Sequence, residues 1–129
     1  MSPSRNRGTV LLADDEDVVR LVARRLLERL GFEVVDVPNG RAAVDAAAAA
    51  PSRYCLALFD VSMPILGGAD ATVEIRHVAP DLPVILMSGS TVLDLNDSLG
   101  AAQPDAFLEK PFTLAELEAI LRQVLAGSA

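Results

Sequence analysis

Tryptophan is absent from this 129-residue sequence, aromatic residues make up 4% of it, and cysteine occurs once, at Cys55. A lone cysteine excludes an intramolecular disulfide and any multi-cysteine metal centre. It is compatible with a reducing cytoplasm, where the chain is expected to reside. Long apolar runs are missing too. The longest fall far short of the roughly 20 residues that a membrane span needs, so no membrane insertion is expected. No early segment joins a basic region to a long apolar stretch and a cleavage site, which argues against a secretory signal. Cations are also in short supply, with 11 Lys and Arg against 18 Asp and Glu and a net charge of −7. An acidic chain lacks the basic surface of a nonspecific nucleic-acid binder, and no direct nucleic-acid binding is expected. Internal repeats and low-complexity linkers are absent; AAAAA at 46–50 is helix filler.

What is present suits one packed core. A chain of this length fits a single domain that buries about two-thirds of its unfolded surface. Its 51% hydrophobic and 22% charged residues are globular proportions. The expected division is a flexible lead-in over 1–8, one domain over 9–126 and a short C-terminal end over 127–129.

Strand-length apolar runs alternate with helix-period segments about five times. The expected strands are Thr9–Ala13, Glu33–Val37, 55–59, 83–87 and 106–108. Continuous runs such as TVLLA and PVILM suit strands covered on both faces. Buried helix competes for such runs, but their length and flanking Gly, Pro and Asp favour strand. In the expected helix 17–30, Val19, Val22, Leu26 and Leu30 share one side, with Arg20, Arg24 and Glu28 opposite and Gly31 as the stop. Further helices are expected over 41–50, 68–77 and 114–126, with a short irregular one over 92–100. The last begins with a Thr113–Glu116 capping box, and its core face is Leu117, Ile120 or Leu121, and Val124. Five strands alternating with helices predict a parallel sheet with right-handed crossovers, a doubly wound three-layer α/β sandwich.

Ligands of such sheets bind at the carboxyl ends of the strands. The first strand ends in Asp14 and Asp15, followed by Glu16; the third ends in Asp60, the fourth in Ser88 and the fifth in Lys110. Converging carboxylates repel one another and are stabilised by a bound cation or by protonation. Hard oxygen donors suit Mg²⁺. A carboxylate facing such a metal can attack a phosphoryl group, while the metal and a lysine neutralise the transferring oxygens and a serine hydroxyl donates to one of them. Each residue also has a plainer reading. Asp14 and Asp15 could start a helix, Asp60 could cap the turn before Pro64, Ser88 could be an ordinary strand-end serine and Lys110 a surface lysine. The combination on one rim favours the site.

The strings LLADDE, LALFDVSMP, VILMSG and FLEKPF, in this order and spacing, resemble the signature segments of receiver domains of two-component response regulators. The resemblance runs essentially from Gly8 to Leu125. It implies a flavodoxin-like fold with a five-stranded parallel sheet of order 2-1-3-4-5. It also implies that Asp60 accepts phosphoryl from the phosphohistidine of a histidine kinase or histidine phosphotransfer domain. Asp14, Asp15, Asp60 and the backbone carbonyl of Ser62 would bind Mg²⁺, and Lys110 would pair with the phosphate. Ser88 and Phe107 would form the switch, and the Lys110–Pro111 bond would be cis. Such a chain signals through a downstream protein partner or an attached output domain and catalyses only its own phosphorylation and dephosphorylation. Membership in a hybrid sensor kinase and a phosphorylation-dependent homodimer stay open. So does a pseudo-receiver that binds partners without phosphorylation, although this chain has lost neither the acids nor the lysine.

Other classes fit worse. An aspartyl phosphatase needs a second acid where this chain has Ser62, and no P-loop motif occurs. A flavodoxin needs a Ser/Thr-rich phosphate loop where this chain reads DDED. The sequence departs from the family pattern at Ile65 and Pro104, both where glycine is usual, and Phe107 lacks the hydroxyl a tyrosine would bring. Ser62 and Ser90 flank the expected path of an attacking water.

Overall fold

Alternating side-chain direction along β1 (Thr9–Ala13) generates the layers. Val10 and Leu12 face one side and Leu11 and Ala13 the other, and all four are fully buried. The structure, a computed structural model, describes residues 7–89 and 102–127. The helix expected over 92–100 and Ser90 lie outside the described residues. The further strands are β2 (Glu33–Val37), β3 (Tyr54–Asp60), β4 (Val84–Ser88) and β5 (Ala106–Glu109). Among the described residues the helices are α1 (Asp17–Arg29), α2 (Gly40–Ala49), α3 (Gly68–Val78) and α4 (Leu114–Gly127). All strand pairs are parallel, in the order β2-β1-β3-β4-β5. This is the expected doubly wound sandwich. Among the described residues, no helix is long and apolar enough to cross a membrane.

One core lies under α2 and α3, where Leu11, Phe59 and Leu86 meet Ala43, Ala47, Ala71 and Ile75. Alanines at these contacts let the two helices lie close to the sheet. The other core lies under α1 and α4, where Leu12, Leu58 and Met87 meet Ala23, Leu27, Leu117 and Leu121. The capping box forms as expected, with Thr113 N donating to Glu116 Oε1 at 2.8 Å and Glu116 N to Thr113 Oγ1 at 3.1 Å. On α4, Leu121 rather than Ile120 completes the buried face.

Asp60 and Ser88 close β3 and β4, as expected of these strand ends, with Asp60 paired to Met87 and Ser88 to Glu109. The expected ranges 55–59, 83–87 and 106–108 and the expected face of α1 are corrected. Backbone ladders tolerate polar side chains, so the strands run one residue past the end of the apolar runs. The buried face of α1 runs through Ala23 and Leu27, whereas Val22 is 52% exposed beside exposed Val18 and Leu21. Arg20 and Arg24 both bond Asp36 on β2, which turns the helix away from the expected phase.

The turn after β3 holds Ile65 at φ 70, with a side chain that is 77% exposed. A β-branched residue is ill suited to this left-handed region, where an L-residue costs about 1–2 kcal/mol. Ile65→Asn gives up little packing and relieves that strain. Urea unfolding should show a gain of about 1 kcal/mol; an unchanged or lower midpoint would contradict the strain.

Candidate functional site

The carboxyl ends of β1, β3 and β5 bring together residues that are far apart in sequence. Asp14 is fully buried, Asp60 is 5% exposed and Asp15 is exposed. One carboxylate oxygen from each lies within 4.8 Å of the others. Lys110 Nζ stands 3.3 Å from Asp60 Oδ1 and 3.4 Å from Asp14 Oδ2, with Glu16 Oε1 at 4.0 Å. Asp14 Oδ1 also accepts from the Glu16 backbone N–H at 2.9 Å. Backbone bonds beyond the strands latch this rim. Asp14 N donates to Val37 O, Val61 N to Met87 O, and Lys110 N to Ser88 O.

Electrostatics follow from this crowding. Burial pushes the Asp60 carboxyl above the ordinary carboxylate range, with Asp14 and Asp15 adding to the rise and Lys110 opposing it. Burial pulls the Lys110 ammonium down, but Asp60 and Asp14 outweigh it and hold the ammonium above its ordinary value. Lys110 therefore stays charged. Three carboxylates against one ammonium leave the cluster short of positive charge. Oxygen donors with that deficit fit a hard divalent cation such as Mg²⁺.

The other expected residues lie on β4, on β5 and in the turn after β3. Ser88 ends β4 and is 8% exposed. Ser62 is exposed two positions after Asp60, and Phe107 on β5 is half-buried against the core under α2 and α3. The Lys110–Pro111 bond is cis. Beside the cluster, Val18, Val19 and Val22 on α1 face Lys110, Pro111 and Phe112 across an apolar groove of about 360 Å³.

Sequence reading missed Arg20, whose Nη1 donates to the Asp14 carbonyl oxygen at 2.8 Å. The signal was Asp36, a lone acid in the otherwise apolar part of β2, which asks for a cationic partner.

Known proteins agree with this fold. Residues 10–122 match the family model described as response regulator receiver domain. The chain is 36% identical to the two-component response regulator ORR41 of Oryza sativa subsp. japonica over 120 residues, covering 92% of this chain and 94% of that protein. It is 35% identical to the autoinducer 1 sensor kinase/phosphatase LuxN of Vibrio campbellii over 116 residues, which is 88% of this chain. It spans only 13% of LuxN and 12% of the sensor kinase CckA of Brucella abortus. In three dimensions it is similar to the receiver domain of a sensor histidine kinase from Pseudomonas aeruginosa, solved with a magnesium ion coordinated in the active site cleft. That match has a TM-score of 0.84 at 31% identity and covers 92% of this chain and 98% of that one. The acidic cluster at the strand ends, the sheet order and these matches together make the chain a member of the response regulator receiver domain family, the signalling module of two-component systems.

Proposed function

We propose that Asp60 is the phosphoacceptor and that residues 9–126 form the receiving unit. The supporting observation is the meeting of Asp14, Asp15 and Asp60 within 4.8 Å, with Lys110 Nζ 3.3 Å from Asp60. Asp14, Asp15, Asp60 and the Ser62 carbonyl would hold Mg²⁺. Bound there, the metal supplies charge neutralisation for the phosphoryl oxygens. A carboxylate oxygen of Asp60 attacks phosphorus, the bond to the donor histidine nitrogen breaks, and an acyl phosphate forms on Asp60. Lys110 neutralises the phosphoryl group, and the Ser88 hydroxyl donates to one of its oxygens. Phe107 lies on β5 two residues before Glu109, the partner of Ser88 across the ladder; it turns inward as Ser88 moves, and the protein-interaction surface changes with it.

The donor is the phosphohistidine of a kinase or of a phosphotransfer domain. The groove between Val18, Val22 and Phe112 gives such a donor an apolar seat against the site. Incubation with acetyl phosphate and Mg²⁺ should give a phosphoryl adduct that peptide mapping places on Asp60 and that chelation prevents. A natively folded chain that takes up no phosphoryl group would leave a phosphorylation-independent binding module as the reading.

A further inference from the structure

We propose that Arg20 is a positioning residue for the metal-binding turn Asp14–Asp15, an inference that rests on the Mg²⁺ reading of that turn. The guanidinium uses three of its nitrogens. Nη1 donates to the Asp14 carbonyl at 2.8 Å, Nε to Asp36 Oδ2 at 3.1 Å and Nη2 to Asp17 Oδ1 at 2.7 Å. The backbone N–H of Asp14 donates to Val37 O on β2 at 3.2 Å. Both backbone groups of Asp14 are therefore tied to β2, one directly and one through Arg20 and Asp36.

This matters for Asp15 more than for Asp14. The Asp14 side chain has its own holds, the Glu16 N–H and Lys110. Asp15 is exposed, so its aim depends on the backbone beneath it. The Asp14 carbonyl and the Asp15 N–H share one rigid peptide plane. Fixing that carbonyl fixes where the Asp15 Cα sits, and so the point from which its carboxylate reaches the cluster. Arg20 suits the task because its planar fork meets several acceptors at once, and because its side chain is only 17% exposed. A lysine at this position offers the charge without the fork.

Charge alone argues the other way. A cation beside the acids repels Mg²⁺, so its removal would tighten metal binding if Arg20 acted only through its field. Positioning requires the opposite sign. Arg24 supplies the control, because its hydrogen bonds go to the same Asp36 and to Glu28 rather than to Asp14.

Calorimetric Mg²⁺ titrations of the full chain test this, each run well below the melting temperature of the variant. Arg20→Gln should weaken Mg²⁺ binding by about 10-fold, the scale of losing a residue that orients a metal ligand. Arg20→Lys should weaken it in the same direction despite keeping the charge. Arg24→Gln should lower the melting temperature and leave Mg²⁺ affinity at the wild-type level. If Arg20→Gln fails to fold, Arg20→Lys decides. Equal or tighter binding by the Arg20 variants, or a matching loss in Arg24→Gln, overturns the inference while leaving the metal site standing. A wild-type chain that binds no Mg²⁺ overturns both.

Discussion

Asp60→Asn should take up no phosphoryl group, should lose most of its Mg²⁺ response, and should still melt higher than the wild type when metal is chelated at neutral pH. The last result follows from the crowding around Asp60. Burial and the neighbouring Asp14 and Asp15 hold its carboxyl above the ordinary range in spite of Lys110. The folded protein thus binds this proton more tightly than the unfolded chain does. Stability from that proton is fully present below the unfolded value of about 3.9 and is lost as pH rises through the folded value. Asparagine carries no such dependence. The melting temperatures of the two proteins, measured by calorimetry in chelator, should therefore diverge as pH rises from acid to neutral. Mg²⁺ should reverse the order, because a ligand at 100 times its Kd would stabilise the wild type by about 2.7 kcal/mol. An Asp60→Asn chain that melts below the wild type in chelator at neutral pH, or that still forms an adduct, would contradict this account.

Gly68→Ala should be among the most damaging single changes in the chain. A Cβ at this position would lie 2.4 Å from the Asp60 carbonyl oxygen and 3.0 Å from the Asp60 carbonyl carbon and Val61 Cα. These are backbone atoms at the end of β3 and cannot rotate away. Gly68 N also donates to Val61 O at 2.9 Å, so the start of α3 is bonded to the segment it would have to push. Overpacking of this kind costs about 2–3 kcal/mol. In a domain of this size that lowers the melting temperature by on the order of 10 °C. The displacement falls on Asp60 itself, so beryllofluoride binding should weaken along with stability. Gly89→Ala is the comparison, because among the described residues its added Cβ meets nothing within 4 Å. A Gly68→Ala chain as stable as Gly89→Ala would mean that α3 can shift freely at its start.

The chemistry of the site was legible in the sequence because each of its residues ends an apolar run. Strand ends are local features, and parallel strands with right-handed crossovers carry their carboxyl ends to one rim. Asp14, Asp15, Asp60 and Lys110 could therefore be brought together before any distance was known. The left-handed turn at Ile65 was legible only in part, as a departure from a pattern that has glycine there. The face of α1 was not legible. Hydrophobic periodicity gives the repeat of a helix, but Val18, Val19, Val22, Ala23, Leu26 and Leu27 allow more than one phase.

By itself, the sequence determined the layered α/β fold, the strand ends and the residue types that meet there, because these depend on local pattern and chain connectivity. Only the tertiary structure decided the phase of α1, the hold of Arg20 on Asp14, and the raised carboxyl of Asp60. Each depends on burial and on contacts between segments distant in the chain, such as Arg20 with Asp36 or Lys110 with Asp14, and no local pattern encodes them.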